Sequence, residues 1–210
     1  MKSSHLGTFA LLAALLIPAG CSSREAPPEA GTVRGGVPDM RGETVMLLPA
    51  QDILGVGGDP DAEIAFALQN RSDAIEWALP EELERIVGRS PTLGVNVHAL
   101  AVGVFLQGEV RRIGDPLFRD LLQISALTGS QLALIPIQVR YRPAAPADPD
   151  APEGESQEPR VGAVEVVATL IETRGGNVLW FGILEGDPGA ADDPAALASA
   201  ADRLAQVLVP

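Results

Sequence analysis

The chain has 210 residues, of which 46% are hydrophobic and 20% charged, and its formal net charge is −13. That length suits one domain with tails, and the apolar share is enough for a core. The negative sign argues against nucleic-acid binding, which needs a basic footprint. Beyond residue 20 there is no lysine, one histidine (His98) and one cysteine (Cys21). This inventory excludes a P-loop NTPase, a Schiff-base enzyme, a Cys–His protease and a Cys/His zinc protein. It implies no cofactor and no metal.

Lys2 gives a short positive start, and Leu6 to Ile17 is an apolar run of 12 residues. A bilayer span takes about 20 residues, so this run has signal-peptide length. Pro18-Ala19-Gly20-Cys21 follows and resembles the lipobox of bacterial lipoproteins. Ala19, Gly20 and Cys21 match that pattern, and Pro18 stands where the family has Leu. The resemblance implies a signal peptide over residues 1–20 and a lipid, palmitate included, on Cys21. With Ser22 rather than Asp next, it implies an outer-membrane lipoprotein facing the periplasm. A plain signal peptide followed by a buried cysteine is the alternative.

Residues 21–42 are rich in Pro, Gly and charge and lack apolar periodicity, so they read as a flexible tether. Residues 43–210 read as one domain. Thr44 to Ala50 is a short apolar run suited to a buried strand. Asp59 and Pro60 open a helix, with Asp61 and Glu63 in its first turn and Ile64 and Leu68 facing a sheet. Ala74 to Leu79 reads as a strand, and Pro80 to Gly88 as a short helix with Gly88 at its C-cap. Ser90 to Ile113 is either a strand or a packed loop. Asp115 caps the clearest helix, Pro116 starts it and Gly129 stops it, with Leu117, Leu121, Ile124 and Leu127 as its stripe.

Gln131 to Arg142 is a strand with Ile135, Ile137, Val139 and Tyr141 on one face and Gln138, Arg140 and Arg142 on the other. Residues 143–160 hold five prolines and five acids and form a disordered excursion. Val161 to Thr173 is a long strand, Gly175-Gly176 a tight primed turn, and Asn177 to Glu185 the next strand. Asp193 and Pro194 begin a last helix with a stripe of Leu197, Ala201, Leu204 and Leu208. The order β-α-β-α-(loop)-α-β-β-β-α is α+β, a single mixed β-sheet flanked by helices.

The stretch from Leu117 onward carries a second resemblance. A helix ending Ala126-Leu127-Thr128-Gly129 runs into strand Leu132 to Ile137. Strand Ala168 to Thr173 then turns through Arg174-Gly175-Gly176-Asn177 into Val178-Leu179-Trp180. This resembles envelope lipoproteins of the curli-secretion (CsgG) and penicillin-binding-protein-activator (LpoB) type and the amino-terminal domain of TolB. Gly129, Gly176, Val178 and Trp180 match that pattern, and Glu172 stands near its Asp. These are turn and packing residues, so the resemblance implies architecture and not a site.

Few residues suggest chemistry. Gly55 to Gly58 lacks the GK[ST] of a phosphate loop and is followed by acids. Asp59, Asp61 and Glu63, and the acids from Asp148 to Glu158, depart from EF-hand spacing. His98 has no G-x-S-x-G partner motif. Trp77, Trp180 and Phe181 are core or contact aromatics, and adjacency on a strand sends Trp180 and Phe181 to opposite faces. The expectation is a non-enzymatic, lipid-anchored periplasmic protein that binds an unknown envelope protein or assembles envelope components. A subunit of an oligomeric export channel of the curli-secretion type is the second reading. A carboxylate-pair hydrolase, which needs a concave pocket with two convergent acids, is the third.

Overall fold

Residues 29, 31–144 and 161–210 are described by the structure, a computed structural model. The elements run β1 Val33–Gly35, β2 Thr44–Leu47, β3 Ile53–Leu54, α1 Pro60–Arg71, β4 Glu76–Ala78 and α2 Pro80–Gly88. Then come α3 Leu117–Thr128, β5 Leu132–Arg142, β6 Ala163–Glu172, β7 Asn177–Pro188 and α4 Pro194–Leu208. This is the expected α+β order around one mixed sheet, with the short strands β1 and β3 added. Strand order is β1-β7-β6-β5-β2-β4, and β3 pairs with β5 beyond the end of β2. β2 is parallel to β4 and β5, whereas β5–β6, β6–β7 and β7–β1 are antiparallel. The C-terminal ends of β2, β4, β5 and β7 and the start of β6 therefore share one end of the sheet, hereafter the upper end.

The sheet separates two apolar cores. On one face α1 and α4 pack Ile64, Leu68, Leu197, Leu204 and Leu208 against Val45, Leu134, Val166, Leu170 and Trp180. On the other, Leu83 of α2 and Leu117, Leu121 and Ile124 of α3 cover Met46, Ile135, Ile137, Val167 and Phe181. Local chemistry sets the helix starts: Asp59 accepts the Ala62 N–H at 3.1 Å and Asp193 the Ala195 N–H at 2.9 Å, each followed by proline.

Several expectations are corrected. Residues 21–42 are not wholly a tether, because Val33–Gly35 pairs with β7 and so extends the domain toward the N-terminus. The alternation in β5 breaks at a bulge between Pro136 and Gln138. Ile135 and Ile137 face the α2–α3 core, but Val139 and Tyr141 face the α1–α4 core. The bulge puts an extra residue on one strand and reverses which face its later side chains use. Asp115 does not cap α3, since Pro116 occupies the cap position and no side chain bonds there. Leu127 leaves the stripe and is exposed, as is Leu122. Gly88 is the last helical residue of α2, and Arg89 is the C-cap.

The β6–β7 turn also differs. Only Gly176 is left-handed (φ +70°), and the connection is the four residues Thr173 to Gly176. The Glu172 carboxylate organises it by accepting the Arg174 N–H at 2.7 Å and the Gly175 N–H at 2.9 Å. Ser90 to Ile113 is a packed loop with two 3₁₀ turns, Pro91–Leu93 and Gly103–Leu106, and it buries Val97, Leu100, Val102 and Phe105. The excursion at 145–160 and the segment 1–28 lie outside the described residues.

Candidate functional site

β2 leads through β3 into α1 on one face of the sheet, and β4 leads directly into α2 on the other. Two neighbouring parallel strands thus send their connections to opposite faces, and a crevice opens at their carboxyl ends, where open α/β sheets place ligands. This cleft, about 440 Å³, is lined by Asp59, Asp61, Ala65, Leu79, Glu81 and Glu84. Proline at the first turn of both helices fixes the crevice walls, and acids fill the first turns because the helix dipole favours negative charge there.

The acids are engaged. Asp59 caps α1. Asp61 accepts the Ala50 N–H at 2.6 Å. Burial pushes the Asp61 carboxyl above its ordinary range; Asp59 and Glu84 add to that, while the Ala50 N–H and His98 oppose it. His98 Nε2 lies 2.7 Å from Glu84 Oε1, and the His98 N–H is donated to Asn96 Oδ1 at 3.0 Å. The structure therefore brings Asp59, Asp61 and His98 to one crevice and adds Glu84 and Glu81. Glu63 is half-buried and does not line the crevice. Among the described residues no group of three or more His, Cys, Asp or Glu side chains is arranged to hold a metal.

A second polar constellation occupies the upper end of the α2–α3 face. Glu165, at 0% exposure, is held by Arg140 Nε and Arg142 Nη1, each at 2.8 Å. Arg140 Nη1 donates to Gln138 Oε1 at 3.0 Å, and Gln138 Nε2 donates to Asp52 Oδ2 at 2.8 Å. A buried carboxylate needs this pairing, and removing one arginine would leave it uncompensated. Arg140 and Arg142 keep 32% and 53% of their side-chain surface exposed. The Glu165 contact, then the charges of Glu185 and Glu29, raise the Arg142 pKa, so residue 29 lies beside this network.

Sequence reasoning missed Glu84, Glu165 and the two arginines as partners. A lone acid in the apolar run Val164-Glu165-Val166-Val167, with two alternate arginines on a neighbouring strand, was the available signal. Trp77, Trp180 and Phe181 are buried core residues. The Trp180 ring lies over Gly182, leaving no room there for a Cβ. Gly55 to Gly58 is a packing loop: the Gly57 N–H donates to the Ala191 carbonyl at 2.9 Å, and a Cβ on Gly57 would meet Asp192. Cys21 lies outside the described residues.

Fold and site together define a three-layer α+β domain with a polar, acid-rich upper end. Among solved structures the chain is similar to the dodecamer of a PelC point variant from Paraburkholderia phytofirmans, in space group C2. The match has 16% identity and a TM-score of 0.40, and covers 86% of this chain and 96% of that one. The PelC dodecamer from the same organism in space group P6 matches at 15% identity and a TM-score of 0.36, over the same shares of each chain. No family model matches, and no curated protein matches.

Proposed function

We propose that the chain is a non-enzymatic, lipid-anchored envelope protein, attached through Cys21 on the periplasmic side of the outer membrane, that binds or assembles other envelope components. The observation that carries this reading is Ala19-Gly20-Cys21, directly after an apolar run of signal length. No described helix is long and apolar enough to cross a membrane. The fold-level resemblance to the curli-secretion and penicillin-binding-protein-activator lipoproteins points the same way. Cys21→Ser should move the protein from the membrane fraction to the soluble one. A variant that still pelleted with membranes after a high-salt wash would refute the anchor. Negative-stain images of detergent-extracted protein separate the adaptor, seen as single particles, from the export channel, seen as rings.

One observation favours a hydrolase as the second reading. The crevice is concave, and Asp61 and Glu84 both line it, one with its pKa raised by burial and the other joined to His98. Loss of turnover of a glycan or ester substrate in both Asp61→Asn and Glu84→Gln would establish it.

A further inference from the structure

β1 is antiparallel to β7, so its N-terminal end points to the upper end of the sheet. There the Gly31 N–H donates to the Ile183 carbonyl at 3.0 Å, and the Thr32 N–H to the Glu29 carbonyl at 3.1 Å. Glu29 stands near Arg142. Glu29 lies eight positions after Cys21, and eight fully extended residues reach at most about 28 Å. The sheet itself is longer: the ten residues of β6 span about 33 Å. A tether shorter than the domain and rooted at one end cannot present both ends to the lipid equally.

Besides the acids of the crevice, the upper end carries groups suited to a bilayer surface. Ile53 and Leu54 on β3 and Val161 before β6 are exposed aliphatics there. Arg142 is half-exposed beside them, and an arginine with an apolar stem suits the headgroup level. The lower end carries the β6–β7 turn, the C-terminal ends of α1 and α4, and a concavity of about 510 Å³ lined by Pro38, Met40, Arg71, Ile75 and Val209.

We propose that the upper end of the sheet, with Ile53, Leu54, Val161 and Arg142, is the face this domain turns to the lipid surface, the lower end being presented away from it. The inference rests on the Cys21 anchor described above. With a net charge of −13, long-range attraction to anionic lipid is not the cause, so the orientation belongs to zwitterionic bilayers as well and is insensitive to salt.

The test imposes the anchor so that it stands apart from acylation in the cell. Every described element lies within residues 29–210, so the chain from residue 21 retains the domain. A Cys21→Ser variant with hexahistidine directly ahead of it is held on phosphatidylcholine vesicles by nickel-chelating lipid. Because Cys21 is the sole cysteine, single labelling sites follow from Leu54→Cys and Val161→Cys above, and Asp73→Cys and Arg174→Cys below. Energy transfer to headgroup acceptors should be several-fold stronger from positions 54 and 161 than from 73 and 174, at low and high salt alike. Equal transfer from both ends, or stronger transfer from the lower pair, overturns the proposal. Failure of the fractionation experiment would instead remove the natural anchor and leave this ratio unchanged.

Discussion

Two regions of this molecule reach order by different routes. β5, β6 and β7 are strands of 11, 10 and 12 residues joined along their length by ladders broken only at bulges. The segment between α2 and α3 has two short 3₁₀ turns, yet it buries Val97, Leu100, Val102, Phe105 and Ile113 to within 7% exposure, close to the 0% of the buried strand valines. Its backbone groups are tied by side chains from elsewhere. Gln51 Nε2 donates to the Val97 carbonyl at 2.8 Å, and Gln51 Oε1 accepts the Leu100 N–H at 2.8 Å. In the other direction, the segment's own Arg112 Nε donates to the Gly175 carbonyl of the β6–β7 turn at 2.8 Å. Regular pairing is thus not a precondition for core membership. A loop can serve when distant side chains complete its hydrogen bonds.

If both regions belong to one cooperative unit, truncating an anchor in either should cost alike. Trp180→Ala in the sheet and Phe105→Ala in the loop should each lower unfolding stability by about 3–5 kcal/mol. The Phe105 and Phe181 rings stack at 6.3 Å across the boundary. A Phe105→Ala loss of well under half the Trp180→Ala loss in urea melts would show that the loop opens independently. Next in size is Gln51→Ala, which leaves a buried carbonyl and N–H unpaired and should cost about 2 kcal/mol. Hydrogen exchange should quicken at residues 97–102 before it quickens in β6, and uniform quickening would erase the distinction between the regions.

Gly176→Ala should cost about 1–2 kcal/mol, because a Cβ is disfavoured at positive φ. That Cβ would also meet the Phe118 ring and Ile113, so the strain falls on the contact between hairpin and loop. An unchanged melting midpoint would mean that the turn does not hold this geometry. The smallest effect belongs to Asp61. Its carboxyl titrates above the ordinary value near 3.8, so the folded state binds the proton more tightly than the unfolded chain. The folded state carries a penalty above the folded pKa, and that penalty is relieved as pH falls toward the unfolded value. Asp61→Asn keeps an acceptor for the Ala50 N–H, removes the charge, and should flatten stability against pH just above 3.8. A variant whose pH curve overlays that of the parent would show no such penalty.

The same division explains what the sequence discloses. Asp59-Pro60 and Asp193-Pro194 mark helix starts because capping is settled within three residues. The strands of the C-terminal half show through their β-rich composition and the glycines between them. β1 does not, since Val33-Arg34-Gly35 has no pattern of its own and is a strand only by pairing with Phe181 and its neighbours. Asp115 misleads because its position is one residue outside the cap that Pro116 takes. The site is less legible still. Glu84 meets His98 across 14 residues, and Arg140 meets Glu165 across 25. The second pairing depends on strand register, which composition does not encode.

The bulge in β5 has a consequence for how this strand can change over generations. Pro136 tolerates that position because the ladder is already interrupted there. Exchanging one residue for another nearby alters a contact or two. Losing Ile137 would remove the bulge and leave Gln138 to Arg142 opposite Val167 to Ala163, on the faces they now use. Residue 137 is therefore the position in this strand where a single deletion should be tolerated, at the cost of one buried side chain in the α2–α3 core.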